Sequence, residues 1–180
     1  MSRILVVCTG NVCRSPLGEG FLRAALADAS DGTAPEVRSA GTAGWEGSGA
    51  TELTIEAALE RGVDIAAHRA RLLTPDAVED ADLIVCMAEE HRRAVARIDP
   101  IALDRTFTIW ELVRLLEDAR PTGDLAERVA AAARARDGRS AFDPDVRDPL
   151  GDGLDGFREI AAELEDLSRR LARALSELPA

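Results

Sequence analysis

The chain has 180 residues, the length of one globular domain, and its 46% hydrophobic and 31% charged residues predict a single ordinary core. Acidic residues outnumber basic ones 33 to 22, and the resulting charge of −11 repels nucleic acid and anionic membrane surfaces, so neither is expected as a partner. Lys, Gln and Tyr are absent, which excludes phosphate-loop lysines, Schiff bases and tyrosine acids or nucleophiles.

Three cysteines, Cys8, Cys13 and Cys86, are too few and odd in number for a disulfide scaffold. The segment before Thr9 is too short for a signal-peptide core, and no run approaches the roughly 18 apolar residues of a membrane span. The protein is therefore expected in the cytoplasm.

In chain order, Ile4 to Val7 is continuously apolar and β-branched, the pattern of a strand covered on both faces. The stretch CTGNVCRSP follows, then a helical pattern with Ser15 as cap, Pro16 at the first position, and Leu17, Phe21 and Ala25 on one face. Val37 to Ala40 reads as a second strand, leading into the glycine-rich stretch Gly41 to Gly49. A helix is predicted from Glu52, with Ile55, Ala58 and Leu59 inward, stopping at Gly62. Leu83 to Met87 is the next strand, Glu89 to Arg97 a helix ended by Pro100, and Thr106 to Ile109 an extended piece before a helix near Glu111 to Glu117.

The segment 121–141 carries only a thin apolar stripe, Leu125, Val129 and Ala133, and reads as a solvated helix on an excursion; the sharper alternative is a lid over the site. The final helix is the clearest, with Phe157, Ile160, Leu164, Leu167, Leu171 and Leu175 inward and Glu163, Asp166 and Arg170 outside. Strands alternating with helices predict an α/β fold in one domain, 1–180: a small doubly wound parallel sheet of about four strands with helices on both faces.

The chemistry concentrates in Cys8-Thr9-Gly10-Asn11-Val12-Cys13-Arg14-Ser15, between a buried parallel strand and a helix N-terminus. Doubly wound folds bind anions at the carboxyl ends of such strands, where free N–H groups and the helix dipole favour negative charge. A cysteine in that field is expected as the thiolate. Gly10 permits a turn that a Cβ would obstruct, and Arg14 can fold back to present two donors to an oxyanion. A lone cysteine would read as a buried structural residue; a Cys followed after five residues by Arg and Ser, at this junction, reads as a phosphate-binding loop with a nucleophile.

These residues resemble the low-molecular-weight protein tyrosine phosphatases, whose signature is a Cys, five residues, then Arg and Ser near the N-terminus. The resemblance continues through Val37-Arg38-Ser39-Ala40-Gly41-Thr42, His68-Arg69-Ala70-Arg71 and Ala81-Asp82-Leu83-Ile84, and closes with Asp148-Pro149 before the last helix. It implies that Cys8 attacks phosphorus and carries the phosphoryl group, while Arg14 and the amides of Thr9, Gly10, Asn11, Val12, Cys13 and Ser15 hold its oxygens. Ser15 would support the Cys8 thiolate, Asn11 would brace the loop, and Asp148 would act as general acid and then base. No metal or other cofactor is implied, and the partner would be a phosphorylated protein.

Asp143 and Asp145 compete with Asp148 as the acid; the resemblance favours Asp148, because the family's acid closely precedes the final helix with glycines after it, and otherwise any of the three is a turn former or helix cap. Cys13 reads either as a small loop filler or, as the resemblance implies, as a partner forming a reversible disulfide with Cys8. Cys86 reads as core, and neither His68 nor His91 is assigned to catalysis. Trp45 is a partly exposed anchor or, as the resemblance favours, a wall of the substrate slot.

Two departures bear on substrate. Leu150 stands where family members carry an aromatic after Asp-Pro, leaving Trp45 alone to grip a ring. Val12 stands where the family's phosphoarginine phosphatases carry Thr, which leans the reading toward phosphotyrosine. Phosphoarginine is the alternative substrate, and arsenate reduction, which needs further paired cysteines, is a more distant one.

Overall fold

β1 (Arg3–Cys8) is buried from Ile4 onward and lies inside the sheet, as its unbroken apolar run requires. The structure, a computed structural model, describes residues 2–29, 34–136 and 145–176. β2 (Glu36–Gly41), β3 (Leu83–Cys86) and β4 (Thr106–Thr108) complete a four-stranded sheet in the order β2-β1-β3-β4, every pairing parallel. The chain passes from β1 to one side and then returns to the other side for β3. That reversal opens a crevice beyond the carboxyl ends of β1 and β3, where Val7 is in register with both Ala40 and Cys86.

Side chains alternate between the two faces. Ile4, Val6, Leu83, Val85 and Phe107 join a core built on α1 (Arg14–Ala29), α2 (Glu52–Leu59), α5 (Ile109–Ala119) and α7 (Leu154–Ser176). Leu5, Val7, Ile84 and Cys86 pack on the opposite face against α3 (Pro75–Glu79), α4 (Glu89–Ile98) and a 3₁₀ turn over Pro100–Arg105. The helices that follow β1 and β3 therefore approach the crevice from opposite sides of the sheet.

Several local expectations shift. α1 begins at Arg14, so Pro16 sits inside its first turn rather than at its first position. In α2 the inward stripe is Thr54, Ala57 and Ala58, one residue behind the expected one, and Leu59 is 51% exposed. Thr51 sets that phase by accepting the Thr54 amide at the helix start. The five-residue α3, capped by Thr74 with Pro75 at its start, was too short to leave a periodic signal.

Within 121–141 the described part is α6 (Leu125–Ala135), opened by a capping box between Asp124 and Glu127. It is docked rather than merely solvated: Val129 and Ala132 are buried, and the buried Arg128 guanidinium donates to the carbonyls of Pro121, Gly123 and Ala174. Arg136 just beyond it donates to the carbonyls of Leu103 and Thr106 and lies 4.2 Å from the centre of the Phe107 ring. With a further pair to Glu111 Oε1 at 2.9 Å, these contacts tie Arg136 to β4 and the start of α5; residues 137–141 of the expected excursion lie outside the described residues.

Candidate active site

Cys8 ends β1, and the loop from Thr9 to Cys13 turns directly into α1, so loop amides and the helix N-terminus share one concave surface. The loop is clamped to β2. The Thr42 and Ala43 amides donate to the Cys8 and Thr9 carbonyls at 3.0 and 2.9 Å, and a Cβ on Gly41 would stand 2.7 Å from the Thr9 carbonyl oxygen. Only glycine lets the two backbones approach so closely.

Asn11, the chain's one asparagine, adopts φ 54°, a left-handed conformation that asparagine tolerates better than most residues. Its side chain is fully buried and every polar atom is used. The Arg71 amide donates to Oδ1 at 2.8 Å, which fixes Nδ2 as the donor to Ser15 Oγ and Ser39 Oγ, both at 2.8 Å. Ser15 Oγ thus receives a hydrogen from Asn11, and its own hydrogen is available to Cys8 Sγ at 2.9 Å. Ser39 passes its hydrogen to Glu19 Oε2 at 2.5 Å. The Asn11 amide points at Cys8 Sγ from 3.3 Å, giving a thiolate two donors.

Arg14 is buried to 5% exposure. Its guanidinium donates to the Val146 carbonyl at 3.2 Å, to Thr9 Oγ1 at 3.3 Å, and to Asp148 Oδ2 at 2.5 Å. Asp148 Oδ1 accepts the Leu150 amide at 3.0 Å, a turn that fixes the carboxylate's orientation. Cys8, Arg14, Ser15 and Asp148 are therefore tied into one site, although Asp148 is separated from the loop by more than a hundred residues of chain. Asp145 faces α4 instead, and Asp143 lies outside the described residues.

The two histidines both serve the loop, and composition offered no sign of it. His68 Nε2 donates to the Asn11 carbonyl at 2.8 Å, and burial pushes its ring below the ordinary range. His91, 1% exposed, sets Nε2 3.0 Å from Thr9 Oγ1, with Nδ1 buried and unpartnered. Burial, and then the charge of Arg14, push His91 down to about 4, so its ring is neutral near pH 7. Ser39, Glu19 and His68 were also missed; each is an ordinary polar residue until the fold gathers them around Asn11.

Trp45 lies across the loop: a Cβ on Gly10 would stand 3.0 Å from its indole Cδ1 and Nε1, while the ring remains 46% exposed. Leu150 is also exposed, beside Asp148. Val12 is buried in the core with its carbonyl accepting the Thr51 amide. Cys13 is a free, buried thiol 3.9 Å from Thr51 Oγ1, and burial pushes it up. Cys86 is fully buried on the other face of the sheet and is likewise pushed up by burial. Among the described residues no three His, Cys, Asp or Glu side chains converge on a metal position, and no helix is long and apolar enough to cross a membrane.

The family model described as low molecular weight phosphotyrosine protein phosphatase matches residues 3–127. A low molecular weight protein-tyrosine-phosphatase of Streptomyces coelicolor is 35% identical over 97% of this chain and 94% of its own. A protein-arginine-phosphatase of Bacillus subtilis is 31% identical over 97% of each chain. Among solved structures, a Cys-to-Ser mutant of the YwlE arginine phosphatase with a phosphorylated active-site serine superimposes with TM-score 0.76 at 29% identity, over 98% of this chain and 97% of that one.

Proposed function

The chain belongs to the low molecular weight phosphotyrosine protein phosphatases, and on that premise we propose that it hydrolyses phosphotyrosine in proteins through a phosphocysteine intermediate. The observation that carries this reading is the buried Cys8 Sγ at the carboxyl end of β1, facing two hydrogen-bond donors, with Arg14 and Asp148 joined in the same site.

In the first step the Cys8 thiolate attacks phosphorus in line, forming the S–P bond as the P–O bond to the aryl group breaks. Asp148 gives its proton to the leaving oxygen. Arg14 and the loop amides balance the charge on the three non-bridging oxygens, where preorganised donors contribute most. In the second step Asp148, now a carboxylate, takes a proton from water as that water attacks phosphorus and the thiolate departs. The YwlE mutant, in which a serine put in place of an active-site cysteine carries a phosphoryl group, supports covalent transfer in this family.

Phosphotyrosine is favoured by the exposed Trp45 over Gly10, positioned to flank an aryl group. The second reading, phosphoarginine, is favoured by Leu150, which leaves the other side of the mouth without an aromatic, and by the likeness to arginine phosphatases. Arsenate reduction fares worse: Cys86, the one downstream cysteine, is fully buried on the far face of the sheet and cannot relay a disulfide. A cytoplasmic site of action is part of the proposal.

The test is kcat/KM on a phosphotyrosine peptide and on phosphoarginine, side by side, with Cys8→Ser as the blank. Preference for phosphotyrosine is expected. Preference for phosphoarginine overturns the substrate assignment, and turnover by Cys8→Ser near the native rate overturns the mechanism.

A further inference from the structure

A general acid must be held within a fraction of an ångström of its target, yet Asp148 sits on an irregular stretch, 145–149, with no helix or strand to hold it. Besides the Arg14–Asp148 pair and the pairs of Arg147 with Asp152 and Glu159, three contacts tie that stretch to β3, α1 and α4. The Val146 amide donates to the Met87 carbonyl at the end of β3 at 2.8 Å, and the Val146 carbonyl accepts from Arg14. The third is Asp145, whose Oδ1 accepts the amide of Glu89, the first residue of α4, at 2.8 Å.

That last contact answers a need of the helix itself. The Glu89 amide is the first of the amides that α4 leaves without an intrahelical partner, and an N-cap side chain reaches only the second or third, so no side chain at position 88 would serve it. Asp145 supplies the cap from 56 residues further along the chain. α4 is itself fixed at the crevice: the Met87 amide donates to the Val7 carbonyl of β1, and His91 in the first turn of α4 meets Thr9 of the loop. The segment bearing Asp148 and the loop bearing Cys8 are thus moored to the same helical turn.

We propose that Asp145 is a positioning residue for the general acid, which by accepting the first amide of α4 holds Asp148 over the phosphate loop. This rests on Asp148 being the acid, as proposed above. It assigns Asp145 an accepting oxygen rather than a proton to donate, so Asn, an equally good cap, serves in its place.

The experiment compares kcat/KM, which reports formation of the phosphocysteine and not its breakdown, on p-nitrophenyl phosphate, whose leaving group needs little protonation, and on phenyl phosphate, whose leaving group needs much. Asp145→Ala is expected to lower kcat/KM for phenyl phosphate about tenfold and for p-nitrophenyl phosphate less than threefold, with competitive inhibition by inorganic phosphate unchanged. Asp145→Asn is expected to restore both rates to within about threefold of native. In an Asp148→Asn background, Asp145→Ala is expected to add nothing. Equal slowing of both substrates, or of neither, overturns the proposal, as does an Asn variant as slow as the Ala variant, which would make Asp145 itself a proton carrier. If Asp148→Asn alone shows no dependence on the leaving group, the acid assignment fails first, and the role of Asp145 falls with it.

Discussion

Ser15→Ala isolates one link in the chain of donors that ends at the nucleophile. The substitution lies in the first turn of α1, where alanine is the better helix former, so the backbone has no reason to move. It removes the hydroxyl 2.9 Å from Cys8 Sγ and leaves one Asn11 Nδ2–H, buried and donating to nothing. A hydrogen bond to a charged group contributes about 1.5–3 kcal/mol, which corresponds to roughly 10- to 150-fold in rate when it is lost in the transition state. The loss falls chiefly on breakdown of the phosphocysteine, where sulfur departs with its charge. The stranded Asn11 hydrogen costs about 1–3 kcal/mol of stability in addition. Stopped-flow release of p-nitrophenol reads the two steps separately: a burst retained at nearly full amplitude, then a steady rate down by that factor. A steady rate within twofold of native would show that Ser15 does not aim its hydrogen at sulfur, and the proton bookkeeping around Asn11 would be wrong.

Gly41→Ala places a methyl 2.7 Å from the Thr9 carbonyl and 3.0 Å from the Asn11 amide, both backbone, so it is expected to cost about 1–3 kcal/mol in urea unfolding and to lower kcat; native stability would show that the loop yields. Because the folded state holds His91 near 4 against an ordinary 6.5, the unfolded chain takes up that proton first as pH falls through this window, and stability declines by up to about 3 kcal/mol. His91→Gln, which cannot titrate, is expected to show a shallower decline, so unfolding free energies of the two proteins converge toward pH 4; parallel curves would refute the burial argument. Trp45→Ala is expected to lower kcat/KM for a phosphotyrosine peptide about 3- to 10-fold, with little change for inorganic phosphate as inhibitor, measured by steady-state kinetics. Equal loss on phosphoarginine would mean the indole is a general wall and not an aryl one.

Much of the site was legible because its core is contiguous. Cys8 to Ser15 is a single run, and an apolar strand before it with a helical period after it locates the run at a junction where anions bind. Asp148 was reachable through the Asp-Pro-Leu-Gly pattern, though nothing in the chain's spacing could tell that Asp145 turns to α4 while Asp148 turns to Arg14. Glu19, Ser39, His68 and His91 were not legible, because each acts through a partner between 20 and 82 residues distant, and a single polar residue carries no trace of that distance. The docking of α6 was hidden for another reason. Its thin apolar stripe is joined by two guanidinium groups bound to main-chain carbonyls, and hydrophobic periodicity is blind to those.

The same guanidinium hooks decide how chemical labelling of this protein must be read. Arg128 and Arg136 fasten α6, and Arg105 ties the turn before β4 to the carbonyls of Val78 and Ala81. With no lysine in the chain, acylating reagents find no side-chain amine, and these clasps keep their charge through any alkaline titration a protein survives. A dicarbonyl reagent, by contrast, attacks guanidinium wherever it reaches one, so it can unfasten a helix as readily as it disarms the crevice. Loss of activity under such a reagent therefore speaks for Arg14 only to the extent that inorganic phosphate protects against it.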